Sequence, residues 1–113
     1  MVTDSIGATG LDDGRYYFEE QQVVLDQGAA RLEDGGLLGS TLTMDTAVAN
    51  LARWTDLSWE GACLCATRTP ARVLGMDDRR GSIAVGMEAD LVAFTSDHEV
   101  AWTMVGGSMV HRP

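Results

Sequence analysis

The feature that most constrains the fold is a double change in hydrophobic periodicity along the chain. Apolar residues alternate up to about residue 40, repeat at spacings of three and four from residue 41 to 75, and return to a strand-like pattern beyond. Leu91-Val92-Ala93-Phe94 is a continuous apolar run, and a strand of that kind requires cover on both faces. A chain of 113 residues has the length of one ordinary domain, and its helices must bury their own apolar stripes as well. An α/β chain follows, in which strands, then helices, then strands must share a small core.

Within the first segment, Arg15 to Phe18, Gln22 to Leu25 and Ala29 to Leu32 read as short strands. Leu11-Asp12-Asp13-Gly14, Asp26-Gln27-Gly28 and Glu33-Asp34-Gly35-Gly36 read as turns, so a small β meander is predicted. In the second, Thr43 is a candidate N-cap with Met44, Ala47, Val48, Leu51 and Trp54 on one face. Ser58 caps a second helix with Glu60 near its positive end, and Thr69-Pro70 opens a third that Gly75 closes. In the third, Gly81-Ser82-Ile83 and Val85-Gly86 frame a turn. There Leu91 to Phe94 is a strand, and Val100 to Val105 and Ser108 to His111 form a hairpin around Gly106-Gly107.

The formal charge of -9 repels phosphate backbones and anionic membrane surfaces, so no nucleic-acid or membrane partner is expected. All eight basic residues are Arg, which removes a Schiff-base lysine and a P-loop lysine. No apolar run has the length of a membrane span and no secretory leader pattern opens the chain, so a cytoplasmic location is expected. Cys63 and Cys65 point to different faces of a helix and read as small buried fillers rather than as a disulfide or a metal pair.

Chemistry is sparse. Asp4 stands where an apolar run breaks into a loop, either as a turn cap for the amides of Ser5 to Gly7 or as a general acid/base. Gly35-Gly36-Leu37-Leu38-Gly39-Ser40 reads as a loop running into a helix, either a plain connection or a place where exposed amides meet a polar ligand. His98 and His111 read as surface residues, since neither has partners at metal-ligand spacing. Trp54, Trp59 and Trp102 read as core or docking residues, and Asp77-Asp78-Arg79-Arg80 as a solvated turn with local ion pairing.

Taken in order, Val2-Thr3-Asp4, Leu37-Leu38-Gly39-Ser40-Thr41-Leu42-Thr43-Met44, Ala66 to Gly75, and Gly81-Ser82-Ile83-Ala84-Val85-Gly86-Met87-Glu88-Ala89-Asp90-Leu91-Val92 resemble the C-terminal part of the N-acetylglucosamine-6-phosphate deacetylase family. That family lies within the metal-dependent amidohydrolase superfamily. The last stretch marks the superfamily, and Gly-Ser-x-Leu-Thr-Met after a Val-Thr-Asp strand end is the more specific match.

The resemblance implies a C-terminal fragment of a (β/α)8 TIM barrel over residues 1–75 and part of a small β-sandwich over 76–113. It implies hydrolysis of the acetamide of N-acetylglucosamine 6-phosphate to glucosamine 6-phosphate and acetate, in amino-sugar catabolism. Asp4 would be catalytic, taking a proton from the attacking metal-bound water and returning it to the departing amine. Leu37, Leu38 and Gly39 would contact the sugar, with Leu38 standing where the family usually has Ala or Ser.

A divalent metal such as zinc is implied for the family, with its Glu and two His ligands upstream of the aspartate and none in this chain. The 113-residue chain is therefore expected to be a fragment without turnover of its own, derived from a family whose members are commonly homodimers. Two other readings stand beside this one: another amidohydrolase of dihydroorotase or deaminase type, and a noncatalytic interaction module that pairs through open sheet edges.

Overall fold

A computed structural model describes residues 1–18 and 20–112. Contacts divide the chain into two compact units: residues 2–47, and Met1 with residues 48–113. This division falls inside a helix, and the last two helices and the final strands belong to one contact unit.

The first unit is a four-stranded antiparallel meander of β1 (Gly14–Phe18), β2 (Gln21–Asp26), β3 (Ala29–Leu32) and β4 (Leu37–Ser40), in the order β1-β2-β3-β4. Alternation sets its faces. Val23 and Leu25 on β2 point inward, opposite Tyr16 on β1 and Ala30 on β3 respectively. They form a core with Ala8, against which Ile6, Tyr16 and Phe18 pack. Gln27 and Gly28 both have positive φ (47° and 83°), the type I′ geometry whose twist suits a two-residue hairpin between β2 and β3.

One element corrects the sequence reading. Leu37 to Ser40 is an edge strand rather than a loop: Ala30 pairs with Gly39 and Ala29 with Ser40. The register shifts between Ala30 and Arg31, so Leu38 is the residue without a partner on β3. Two glycines before the strand and one inside it hid this pairing, since isolated glycines read locally as breaks.

Helix α1 (Met44–Trp54) follows with Asp45 in its first turn, as the periodicity predicts. The Thr43 hydroxyl donates to the Thr46 hydroxyl (2.8 Å), while the Thr43 carbonyl accepts the first helical bond from Ala47 N–H (2.9 Å). Helix α2 (Trp59–Ala66) has the predicted Ser58 cap, whose hydroxyl accepts from Gly61 N–H (3.2 Å). Helix α3 starts one residue earlier than expected, spanning Arg68–Val73 with Pro70 third in line. That position costs nothing, because the first four helical amides have no partner within the helix anyway. Met76 N–H bonds to Ala71 C=O and Gly75 N–H to Arg72 C=O, the paired bonds of a Schellman stop.

The second unit ends in a three-stranded antiparallel sheet, β5 (Leu91–Phe94), β6 (Val100–Val105) and β7 (Ser108–His111), in that order. Residues 81–90 hold bends and a turn at Val85 and Gly86, in the region where the sequence places one, and the first strand of this unit begins at Leu91. An apolar strand such as β5 requires cover on both faces, and this chain leaves Val92 50% exposed. Trp54 is 72% exposed and is not a core residue of this chain, whereas Trp59 is half-buried, T-shaped to Phe94 (centroids 5.1 Å apart) and stacked with His98 (3.8 Å). Cys63 and Cys65 are free and half-buried, not the buried fillers expected, since the one buried residue of α2 is Ala62 between them and the helix start.

Candidate functional site

The residues singled out in the sequence, Asp4 and Leu37-Leu38-Gly39, are brought together in the first unit. The chain from Thr3 to Ile6 runs along the free side of β4, and Ser5 makes a parallel bridge to Ser40. Ser40 N–H donates to Asp4 C=O (2.8 Å), and Ile6 N–H donates to Ser40 C=O (3.0 Å). The Ser40 hydroxyl donates to Thr3 C=O (2.6 Å) and accepts from Leu42 N–H (3.1 Å). Ser5 adds a hydroxyl bond to Leu42 C=O. A segment of only a few residues before the meander is thereby stitched to a strand far away in sequence.

Gly39 is where the two segments approach most closely. A Cβ placed on it would stand 2.7 Å from the Asp4 carbonyl oxygen and 2.8 Å from Ile6 Cγ2, closer than real side chains come. The same point lies 3.8 Å from Asp4 Oδ2, so the candidate carboxylate and the candidate sugar-binding strand share one patch of surface. Leu37 and Leu38 line that edge as exposed side chains, 66% and 39% accessible.

Asp4 itself has φ 55°, in the left-handed region that L residues other than Asn and Asp rarely adopt. The turn-capping alternative does not describe it. Two of the amides it would cap are taken, Ser5 N–H by Thr3 Oγ1 (3.3 Å) and Ile6 N–H by Ser40 C=O. Among the described residues no hydrogen bond or ion pair reaches the Asp4 carboxylate, which is exposed.

Sequence reasoning singled out Asp4 by residue type but missed Thr3 and Ser40 as its frame. Their pairing spans 37 residues, and no local pattern announces it.

Elsewhere the chemistry is structural. Among the described residues no group of three or more His, Cys, Asp or Glu side chains could hold a metal ion, and His98 and His111 are exposed. Burial, with Glu60 adding to it, pushes the Cys63 thiol up and away from reactivity. Glu60 is held below the usual carboxylate range by its own backbone amide, then by the Ser58 hydroxyl and, more weakly, by His98. In the turn before β5, Arg80 pairs with Glu88 and with Asp90 (3.2 Å), and hydrogen bonding to Glu88 raises its guanidinium further. No helix is long and apolar enough to cross a membrane among the described residues.

Residues 3–110 match the model of the amidohydrolase family, and the chain belongs to that family. Within it, the chain is 43% identical over 110 residues to an N-acetylglucosamine-6-phosphate deacetylase of Vibrio furnissii, covering 97% of this chain and 28% of that protein. It is 37% identical over 109 residues to an N-acetylgalactosamine-6-phosphate deacetylase of Escherichia coli O157:H7, covering 96% of this chain and 29% of that protein. The crystal structure of the Thermotoga maritima N-acetylglucosamine-6-phosphate deacetylase superimposes with a TM-score of 0.87 at 40% identity, over 99% of this chain and 31% of that one. The chain thus spans under a third of the length of these relatives.

Proposed function

We propose that this chain is the part of an amino-sugar 6-phosphate deacetylase that carries its acid/base, with Asp4 in that role. The observation that supports this most is the exposed Asp4 carboxylate beside Gly39 on the edge strand, in a chain whose relatives include N-acetylglucosamine-6-phosphate deacetylases. Asp4 takes a proton from the water that attacks the acetamide carbonyl and gives it to the nitrogen as the C–N bond breaks, yielding glucosamine 6-phosphate and acetate. Leu37, Leu38 and Gly39 border the sugar beside it.

Amidohydrolases are generally metal-dependent, but the described residues of this chain do not fit a metal site, and both proton transfers run through its own carboxylate. Residues 1–75 would supply the end of a (β/α)8 barrel, and 76–113 part of a sandwich domain. N-acetylgalactosamine 6-phosphate is the second substrate, favoured by the relative named for it.

The test is a segment exchange. Residues 3–112 replace the matching stretch of the Vibrio furnissii relative, and acetate release is followed with N-acetylglucosamine 6-phosphate and N-acetylgalactosamine 6-phosphate, with ring opening of dihydroorotate followed alongside. Turnover of the first above the second supports the reading. Preference for the galactosamine compound supports the second substrate, and turnover of dihydroorotate alone refutes both.

A further inference from the structure

We infer that Ser40 is a positioning residue for the proposed reaction, fixing the left-handed backbone from which the Asp4 carboxylate projects, while Gly39 gives it room. This rests on the acid/base role of Asp4 proposed above. The Asp4 side chain projects from its own backbone, so the placement of that backbone decides where the carboxylate can reach. That backbone has φ 55°, a left-handed conformation open to Asp, and the bonds to Ser40 fix it there.

Ser40 is what holds it. Its N–H binds the carbonyl of Asp4 itself, its hydroxyl binds the carbonyl of Thr3 just before, and its carbonyl receives the amide of Ile6 two residues after. The residue before Asp4, Asp4 itself and a residue after it are thus fixed by one residue of β4. The hydroxyl is in turn oriented by Leu42 N–H (3.1 Å), which leaves its proton directed to Thr3. Gly39 permits the approach, because any side chain there would meet the Asp4 carbonyl, a backbone atom that cannot swing aside.

Two measurements test this together. In the 113-residue chain, the Asp4 amide-to-Hα cross-relaxation reports φ directly, since the two protons are close only at positive φ. It is expected to be strong in the natural chain and in Ser40→Thr, which keeps the hydroxyl, and to fall several-fold in Ser40→Ala. In the segment-exchanged enzyme, S40A should lower kcat on the order of 10-fold, as slight misplacement of a reacting group does, with KM within about twofold. S40T should restore it.

An unchanged cross-relaxation in S40A, a loss of kcat that S40T does not rescue, or a change in KM alone overturns the positioning role. If Asp4→Asn leaves turnover intact, the acid/base reading fails, and the cross-relaxation still decides whether Ser40 holds Asp4. Should S40A not fold, Ser40→Cys, a weaker donor of similar size, carries the same test.

Discussion

Replacing Gly39 by alanine tests the close approach on which the site depends. The new methyl carbon would lie 2.7 Å from the Asp4 carbonyl oxygen and 2.8 Å from Ile6 Cγ2. The Ile6 methyl can rotate, but the carbonyl belongs to a backbone fixed by Ser40 N–H at 2.8 Å, so the two segments must part. Overpacking of this kind costs about 1–3 kcal/mol, and each hydrogen bond lost as the segments separate adds about 1 kcal/mol. A total of about 3 kcal/mol follows, which for a domain of this size lowers Tm by roughly 10 °C.

The assay is thermal unfolding by circular dichroism, with Gly7→Ala as the control. A Cβ at Gly7 would meet only Phe18 Cε1, at 3.9 Å, an ordinary contact, so its Tm should stay within about 2 °C of the natural chain. Equal melting of G39A and the natural chain would refute the reasoning, since it would mean that the Thr3–Ile6 segment is not bound to β4 as described.

Two further outcomes concern the second unit. Glu60 titrates lower in the folded chain than its ordinary value of 4.5, so its contribution to stability is present above that pH and is lost as pH falls through the folded value. Melting scans from pH 3 to pH 7 should therefore show Glu60→Gln losing less on the acid side than the natural chain, and parallel curves would contradict this. Asp90 accepts Gly106 N–H (2.7 Å) through one oxygen and pairs with Arg80 (3.2 Å) through the other. Hydrogen exchange at Gly106 should quicken in Asp90→Ala and stay slow in Asp90→Asn, whose amide oxygen still accepts; equal protection in both would separate the carboxylate from the hairpin.

Much of the fold was legible because its signals are local. The runs Leu91 to Phe94 and Ser108 to His111 give their strands residue for residue, and Ser58 gives its cap, since alternation, glycine turns and side-chain caps act over a few residues. Strand β4 was not legible, because its pairing competes with three glycines and depends on partners distant in sequence. The open flank of β5 at Val92 and the exposure of Trp54 show that the pattern states what a strand or helix wants to bury, not whether this chain supplies the cover.

At the site, Asp4 and Leu37-Leu38-Gly39 could be named from their residues and the family they resemble. That they share one edge, and that Ser40 joins them, are three-dimensional facts carried by backbone bonds that any residue type could make. Only the serine hydroxyl and the missing Cβ of Gly39 leave a trace in the sequence.

The central claim is that the Asp4 carboxylate moves the proton in deacetylation. It is tested most directly by acetate release from N-acetylglucosamine 6-phosphate in the segment-exchanged enzyme, comparing Asp4 with Asp4→Asn at saturating substrate. The amide is nearly the same size and leaves the backbone bonds to Ser40 in place, so kcat is expected to fall by about 10²–10⁴-fold with KM little changed. A kcat for D4N within a few-fold of the parent would contradict the account.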